Sequence, residues 1–259
     1  MHSSGTMRRT IRTALLVATC SVASHAVLLA QVARYRVTST AVLTLDRVNE
    51  TPLVDTLTTS ALLFLTIPAA APTVVTLAID SLQLTSTGMV RRAPDAFSRG
   101  TSLSAALTDG RPQITGDSTT ACTAERPLAA LLPELLPLLL TPLRADQQWS
   151  DTITVTTCRA SLPVTTVSIV NFRTLTGMDS TTVLLERRAV LRTTGSIAIR
   201  DQLVSLNGSG TSEALSTVLI ATRQIQSHRG SQSLDFSLTN GQQTRRMVQQ
   251  ITDSVSILP

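Results

Sequence analysis

The sequence predicts an all-β, mainly antiparallel domain, and three observations carry that expectation. Apolar and polar residues alternate with a period of two along most of the chain, the period of a strand with one buried face. Threonine is abundant, and the apolar set is leucine, valine, alanine and isoleucine with aromatics at only 2%, a composition that favours extended backbone. Turn dipeptides separate the alternating runs. Asp109-Gly110 and Asn240-Gly241 stand out, because both accept the positive φ of a tight hairpin.

The elements follow in order. Tyr35, Val37, Ser39, Ala41, Leu43 and Leu45 alternate with Arg36, Thr38, Thr40, Val42 and Thr44 as a first strand. Thr56 to Ile67 and Thr73 to Thr87 are the next two, with Val75, Leu77 and Ile79 on one face. Arg91 to Arg99 contains Pro94 and reads as a loop. Ser102 to Leu107 and Arg111 to Thr115 flank Asp109-Gly110 as a hairpin.

Pro127 to Leu143 breaks the pattern. It is leucine-rich, but Pro133, Pro137 and Pro142 interrupt it. A proline inside a helix costs about 3 kcal/mol, so short, kinked helix is expected near 127–143. Those prolines and Glu134 argue against a membrane span there.

After Gln147 the strand period returns. Trp149 to Arg159, Val164 to Thr176, Thr181 to Thr193 and Ile197 to Leu206 read as strands. Asn207-Gly208-Ser209-Gly210 reads as a turn or bulge, and Thr211 to Leu219 as a further strand. Arg223 to Thr239 and Met247 to Leu258 enclose Asn240-Gly241 as a closing hairpin. The expectation is a single domain over 31–259 with roughly ten to twelve strands and one helical insertion.

The start of the chain reads as an address. Met1 to Arg12 is polar and carries Arg8, Arg9 and Arg12; Thr13 to Ala23 is a short apolar run; small residues follow at Ala26 and Ala30. This is the order of a secretory signal peptide over 1–30, cleaved after Ala26 or Ala30. The expected destination is the periplasm or the medium. Val17-Ala18-Thr19-Cys20 offers an alternative, a protein anchored by a lipid on Cys20.

Charge and residue inventory narrow the function classes. All 22 basic residues are arginine and the formal net charge is +5. Without the leader arginines the domain is near neutrality, and with few aromatics it is a poor nucleic-acid binder. Of three histidines only His228 lies beyond the leader, so no multi-histidine metal site can form, and no metal or cofactor is expected. His228 sits in Ser227-His228-Arg229-Gly230, which reads as a surface bend.

Gly100-Thr101-Ser102-Leu103-Ser104 begins like a nucleophile elbow but lacks its final glycine, and no lysine exists to complete a phosphate loop. Asp46, Glu50, Asp55, Asp80 and Asp151 are scattered, and most read as solvated strand-end residues. No catalytic residue is assigned, the protein is not expected to be an enzyme, and no ligand-binding residue can be named. Cys122 and Cys158 would be the two cysteines of an exported chain and are expected to pair as a disulfide. Chain entropy sets its worth at about 4 kcal/mol before native strain.

The leader, the long meander of strands, the proline-leucine segment at Leu131 to Pro142 and the stretch Gln148-Trp149-Ser150-Asp151-Thr152 together resemble LolA-like, lipoprotein-carrier-type secreted bacterial proteins. The resemblance implies a curved open sheet or half-barrel whose apolar concave face is closed by helix and binds a lipid or acyl chain. Such a protein is peripheral to the membrane once its leader is removed. The other reading is a structural or protein-interaction module of the cell envelope with no small ligand. A continuous apolar cavity, on the order of several hundred Å³, favours the first; a solid interior favours the second.

Overall fold

The computed structural model describes residues 31–47, 50–68, 73–87, 99–108, 111–113, 126–140, 142–159, 162–175, 181–199 and 202–259. The leader, with its Ala26 and Ala30 cleavage positions and Cys20, lies outside these residues. So does Cys122, and with it the expected Cys122–Cys158 disulfide.

Among the described residues eleven strands form one antiparallel sheet. They are β1 (Gln31–Leu45), β2 (Leu53–Ile67), β3 (Val74–Ser86), β4 (Ser102–Thr108), β5 (Arg111–Gln113), β6 (Gln148–Arg159), β7 (Leu162–Thr174), β8 (Thr182–Ile199), β9 (Gln202–Leu219), β10 (Ile225–Asn240) and β11 (Gln243–Leu258). A single helix among the described residues, α1 (Arg126–Leu135), lies between β5 and β6 in the chain. The sheet order is β5-β4-β3-β2-β1-β11-β10-β9-β8-β7-β6. Two meanders are thus joined at the centre, where β1 pairs with β11 from Arg34↔Leu258 to Leu45↔Met247. The sheet is open, and its two edges are β5 and β6, the strands on either side of the helix in sequence.

The sheet curls until those edges face each other. Arg111 of β5 lies 3.2 Å from Asp151 of β6. The helix packs against β6 and against β3, β4 and β5, so it plugs the concave side near the gap.

Alternation explains both faces. Tyr35, Val37, Leu63, Leu65, Val75, Leu77, Val170, Phe172, Leu185, Leu234 and Phe236 are buried on the concave side. The convex side carries hydroxyl pairs across strands: Thr38 with Ser254 at 2.7 Å, Thr76 with Ser104 at 3.0 Å and Thr239 with Thr244 at 3.0 Å. Such pairs stabilise a wet sheet face, which is where the abundant threonine goes.

In α1, Leu128, Leu132 and Leu135 are fully buried, a spacing that keeps them on one helical face. Burial of each stabilises the fold by about 1.5–3 kcal/mol. Pro133 lies inside the helix, as its sequence warned. The helix closes with Leu136 N–H donating to Leu132 O at 3.0 Å, and Pro137 then disfavours helical backbone at Leu136.

The turn or bulge expected at Asn207-Gly208-Ser209-Gly210 does not form. These residues continue β9, with Gly208 opposite Phe236 and Gly210 opposite Leu234. The glycines serve a close approach of strands instead. A Cβ on Gly210 would meet Ser233 O at 2.0 Å, and one on Gly208 would meet Phe236 Cβ at 2.4 Å. The final hairpin turns at Gly241, with φ of 59°. Thr108↔Arg111 closes the β4–β5 pairing around Asp109-Gly110, which lie outside the described residues.

Candidate functional site

The concave face is apolar with a few exceptions, and the register collects them. On β8, Arg187 lies in phase with Leu185, Ala189 and Leu191; on β9, Ser216 lies in phase with Ala214 and Val218. On β10, His228 shares the inner face with Leu234 and Phe236, and on β11, Asp253 shares it with Ile251 and Val255. Cross-strand pairing then lines up Arg187, Ala214, Gly230 and Asp253 in one row across four strands. His228 and Ser216 are directly paired in the adjacent row.

Small residues in the middle of the row make room for contact. A Cβ on Gly230 would lie 2.9 Å from both Asp253 Oδ1 and His228 Nε2. Over that glycine, His228 Nε2 and Asp253 Oδ2 meet at 2.9 Å. Ser216 Oγ lies 2.9 Å from His228 Nδ1. A neutral imidazole satisfies both contacts: Nε2–H donates to Asp253, and Nδ1 accepts from the Ser216 hydroxyl. His228 is only 5% exposed. The expected surface bend is therefore corrected to a buried strand position.

A second polar contact reaches this cluster from the helix. The Arg187 guanidinium, through Nη1, is ion-paired with Glu134 Oε2 of α1. Burial pulls Arg187 down to about 10, and the negative charge of Asp253 opposes that shift. It remains a cation at neutral pH. Among the described residues Arg187 Nε, Tyr35 Oη and Trp149 Nε1 are buried without a hydrogen-bond partner. Burial also pushes the Tyr35 phenol well above its usual range.

Beside the cluster lies a cavity of about 380 Å³. Its apolar wall includes Val37, Leu63, Leu82, Leu131, Ile251 and Val255. Its polar end is made by Glu134, Arg187, His228 and Asp253, with Ser39, Ser212 and Gln232 nearby. A second cavity, of about 360 Å³, lies under the gap between the sheet edges and is lined by Arg111, Pro133, Leu138, Asp151 and Phe172 among others. Trp149 and Phe172 stack beside it with ring centroids 5.3 Å apart.

Ser216, His228 and Asp253 have the composition of a hydrolytic triad, but the surroundings oppose that use. Ser216 is 6% exposed and sits in a strand paired on both sides, so the adjacent backbone amides serve the ladders. Such a serine has no pair of free N–H groups at hand to stabilise an oxyanion. Ser102, considered above as a nucleophile, opens β4. Among the described residues no group of three or more His, Cys, Asp or Glu side chains is placed to hold a metal ion.

The acids read as solvated divide. Asp46, Glu50 and Asp80 are exposed or half-exposed partners of Arg246, Arg47 and Arg34. Asp55 is instead buried and accepts from Ser86 at 3.2 Å, and Asp151 turns inward toward Arg111. The sequence carried a signal for the inner polar cluster that composition alone hides. Each member lies in phase with the apolar residues of its own strand.

These features define an open antiparallel half-barrel with a helical plug and a partly polar internal cavity. No family model and no curated protein matches the chain. Among solved structures it is similar to lipovitellin, described there for its lipid–protein interactions, with 11% identity and a TM-score of 0.48. That match covers 88% of this chain but only 25% of lipovitellin. It is also similar to two Pseudomonas aeruginosa proteins, OccK8 (OprE) and OpdQ, at 7% and 5% identity with TM-scores of 0.25 and 0.22. Those matches cover 88% and 90% of this chain, and 98% and 99% of the other chains. At these scores none of the likenesses bears on function, and the resemblance to LolA-like carriers rests on sequence features alone.

Proposed function

We propose that this chain is an exported, non-enzymatic envelope protein that holds an apolar or amphipathic ligand, a lipid or acyl chain, inside its half-barrel. The cavity of about 380 Å³ between α1 and the concave face is the observation that carries this reading. It is large enough for on the order of a dozen water-sized groups, which suits one acyl chain rather than a diacyl lipid. The polarity of the sheet supports the same reading. Arg36, Arg188, Glu213 and Arg229 are exposed on the convex side, whereas a membrane-spanning barrel turns an apolar band outward. The convex side also exposes Val32, Val54, Leu215 and the cross-strand pair Ile169 and Val190 among these charges.

Native mass spectrometry of protein purified from the cell envelope, followed by organic extraction, tests the proposal. The expected result is a bound single-chain species that extraction releases. Protein that is ligand-free as isolated and fails to take up any single-chain amphiphile would overturn it and favour the structural or protein-interaction module.

Export has its own test. N-terminal sequencing should find a start at Val27 or Gln31, and a diacylglyceryl group on Cys20 would establish the anchored form instead. Intact Met1 on a cytoplasmic protein would reject export. In the exported protein, thiol labelling after denaturation without reductant should find Cys122 and Cys158 unreactive.

A further inference from the structure

The polar end of the cavity has a definite charge balance. The groups facing it from the helix and four adjacent strands are Glu134, Arg187, Ser212, His228, Gln232 and Asp253, with Ser39 across from Asp253. Glu134 and Arg187 neutralise each other. His228 is held as a hydrogen-bond donor to Asp253 Oδ2. With the neutral imidazole described above, Asp253 keeps its formal negative charge, and the cation that shares its row, Arg187, is already ion-paired with Glu134. Asp253 Oδ1 receives no hydrogen bond from any described residue, and its side chain remains 32% exposed.

The available donors tell the same story. The buried Arg187 Nε is unpaired but shielded, so an incoming anion cannot reach it without displacing protein. A carboxylate head would have to lie beside Asp253 and Glu134 in a setting of low polarity, where like charges repel strongly. An ammonium head in the same place gains Asp253 Oδ1 as an acceptor. Gln232 and Ser39 can accept from its remaining N–H groups.

We infer that the cavity is a head-group-selective site for a single-chain amphiphile with a cationic amine head, with Asp253 as the anchor that discriminates against fatty-acid carboxylates. This inference rests on the proposed ligand cavity and adds to it the chemistry of the head.

The test uses three probes with the same tail, decylamine, decanol and decanoate. Binding to the full mature protein is read by calorimetry or native mass spectrometry at about pH 8, above the ordinary histidine range. Decylamine should bind about tenfold or more tighter than decanoate, with decanol between them. Asp253→Asn keeps an oxygen that can accept from His228 Nε2 and removes the charge. It should abolish the preference for amine over carboxylate. Gln232→Glu, which leaves the His228 contacts alone, should widen the preference, and it decides the matter if Asp253→Asn does not fold by circular dichroism. Equal binding of the two charged probes, or tighter decanoate, overturns the head-group inference. Failure of all three, decanol included, rejects the ligand cavity itself.

Discussion

The Arg111 guanidinium and the Asp151 carboxylate, 3.2 Å apart, join two strands that are opposite edges of the same sheet. Chain order makes the contact possible. The meanders on either side of the central β1–β11 pair each run outward, so β5 and β6 finish as edges with α1 between them in sequence. Curling the sheet brings the edges together over the helix. The ion pair is half-exposed on its arginine side, so it guides closure more than it stabilises the domain.

Replacing Arg111 with Ala should therefore lower the unfolding free energy by no more than about 1 kcal/mol. Its local effect should be larger. Hydrogen exchange read by mass spectrometry is expected to speed up in β5 and β6 and to leave β1 and β11 unchanged. Uniform acceleration over the whole sheet would show that the pair supports the fold globally instead.

Two inner glycines, Gly210 of β9 and Gly230 of β10, should differ sharply when given a methyl group. At Gly210 the new Cβ would meet a backbone oxygen, Ser233 O at 2.0 Å, which can retreat only by opening the β9–β10 ladder. At Gly230 it would meet the ends of two side chains, which can rotate away. Gly210→Ala should thus cost more than about 2 kcal/mol in urea denaturation. Gly230→Ala should cost about 1–3 kcal/mol through a broken His228–Asp253 contact and a less satisfied buried imidazole. The His228 ring resonances should move in the second variant and stay put in the first.

The Glu134–Arg187 pair ties the helix to the concave face. Removing the acid alone leaves a desolvated guanidinium, and removing the arginine takes the desolvation cost away with it. Glu134→Ala should destabilise by about 2–3 kcal/mol, below the roughly 3–5 kcal/mol of a fully buried pair because the glutamate is part-exposed. Arg187→Met should cost less than that. Equal losses from the two variants would mean that packing around α1, and not charge, sets the cost.

On the convex side, the hydrogen bonds from Arg246 hold the Asp235 carboxyl below the usual carboxylate range. The sign follows from the lowered value. The interaction supports the folded state above the ordinary carboxylate pKa and is lost as pH falls through the folded one. An NMR titration of Asp235 should show a depressed midpoint, and Arg246→Ala should bring it back toward the unperturbed range. No such return would assign the shift to another neighbour.

Much of this architecture follows from local chemistry. Alternation along Tyr35 to Leu45 and along Leu234 to Leu238 determines strands with one buried face, because side chains on extended backbone point to opposite sides. Asn240-Gly241 determines a hairpin, since Gly241 takes the positive φ that the turn requires. Pro133 and Pro137 limit the leucine-rich insertion to one short helix. These signals act over a few residues, so they can be read in order along the chain.

Only the tertiary structure decided the rest, because register and curvature join residues that are far apart in sequence. Alternation puts His228 in phase with Leu234 and Phe236, but the glycine and charges of Ser227-His228-Arg229-Gly230 suit a surface bend equally well. Pairing with β9 and β11 turns His228 inward, and Gly230 opens the space in which it meets Asp253, 25 positions later. Gly208 and Gly210 show the same ambiguity, since glycine permits both a turn and a close approach of strands. Long-range pairing chose the second. The cavity, its polar end and the contact of Arg111 with Asp151 exist because a sheet of hairpins coiled around its own helix, and no short stretch of sequence encodes that coiling.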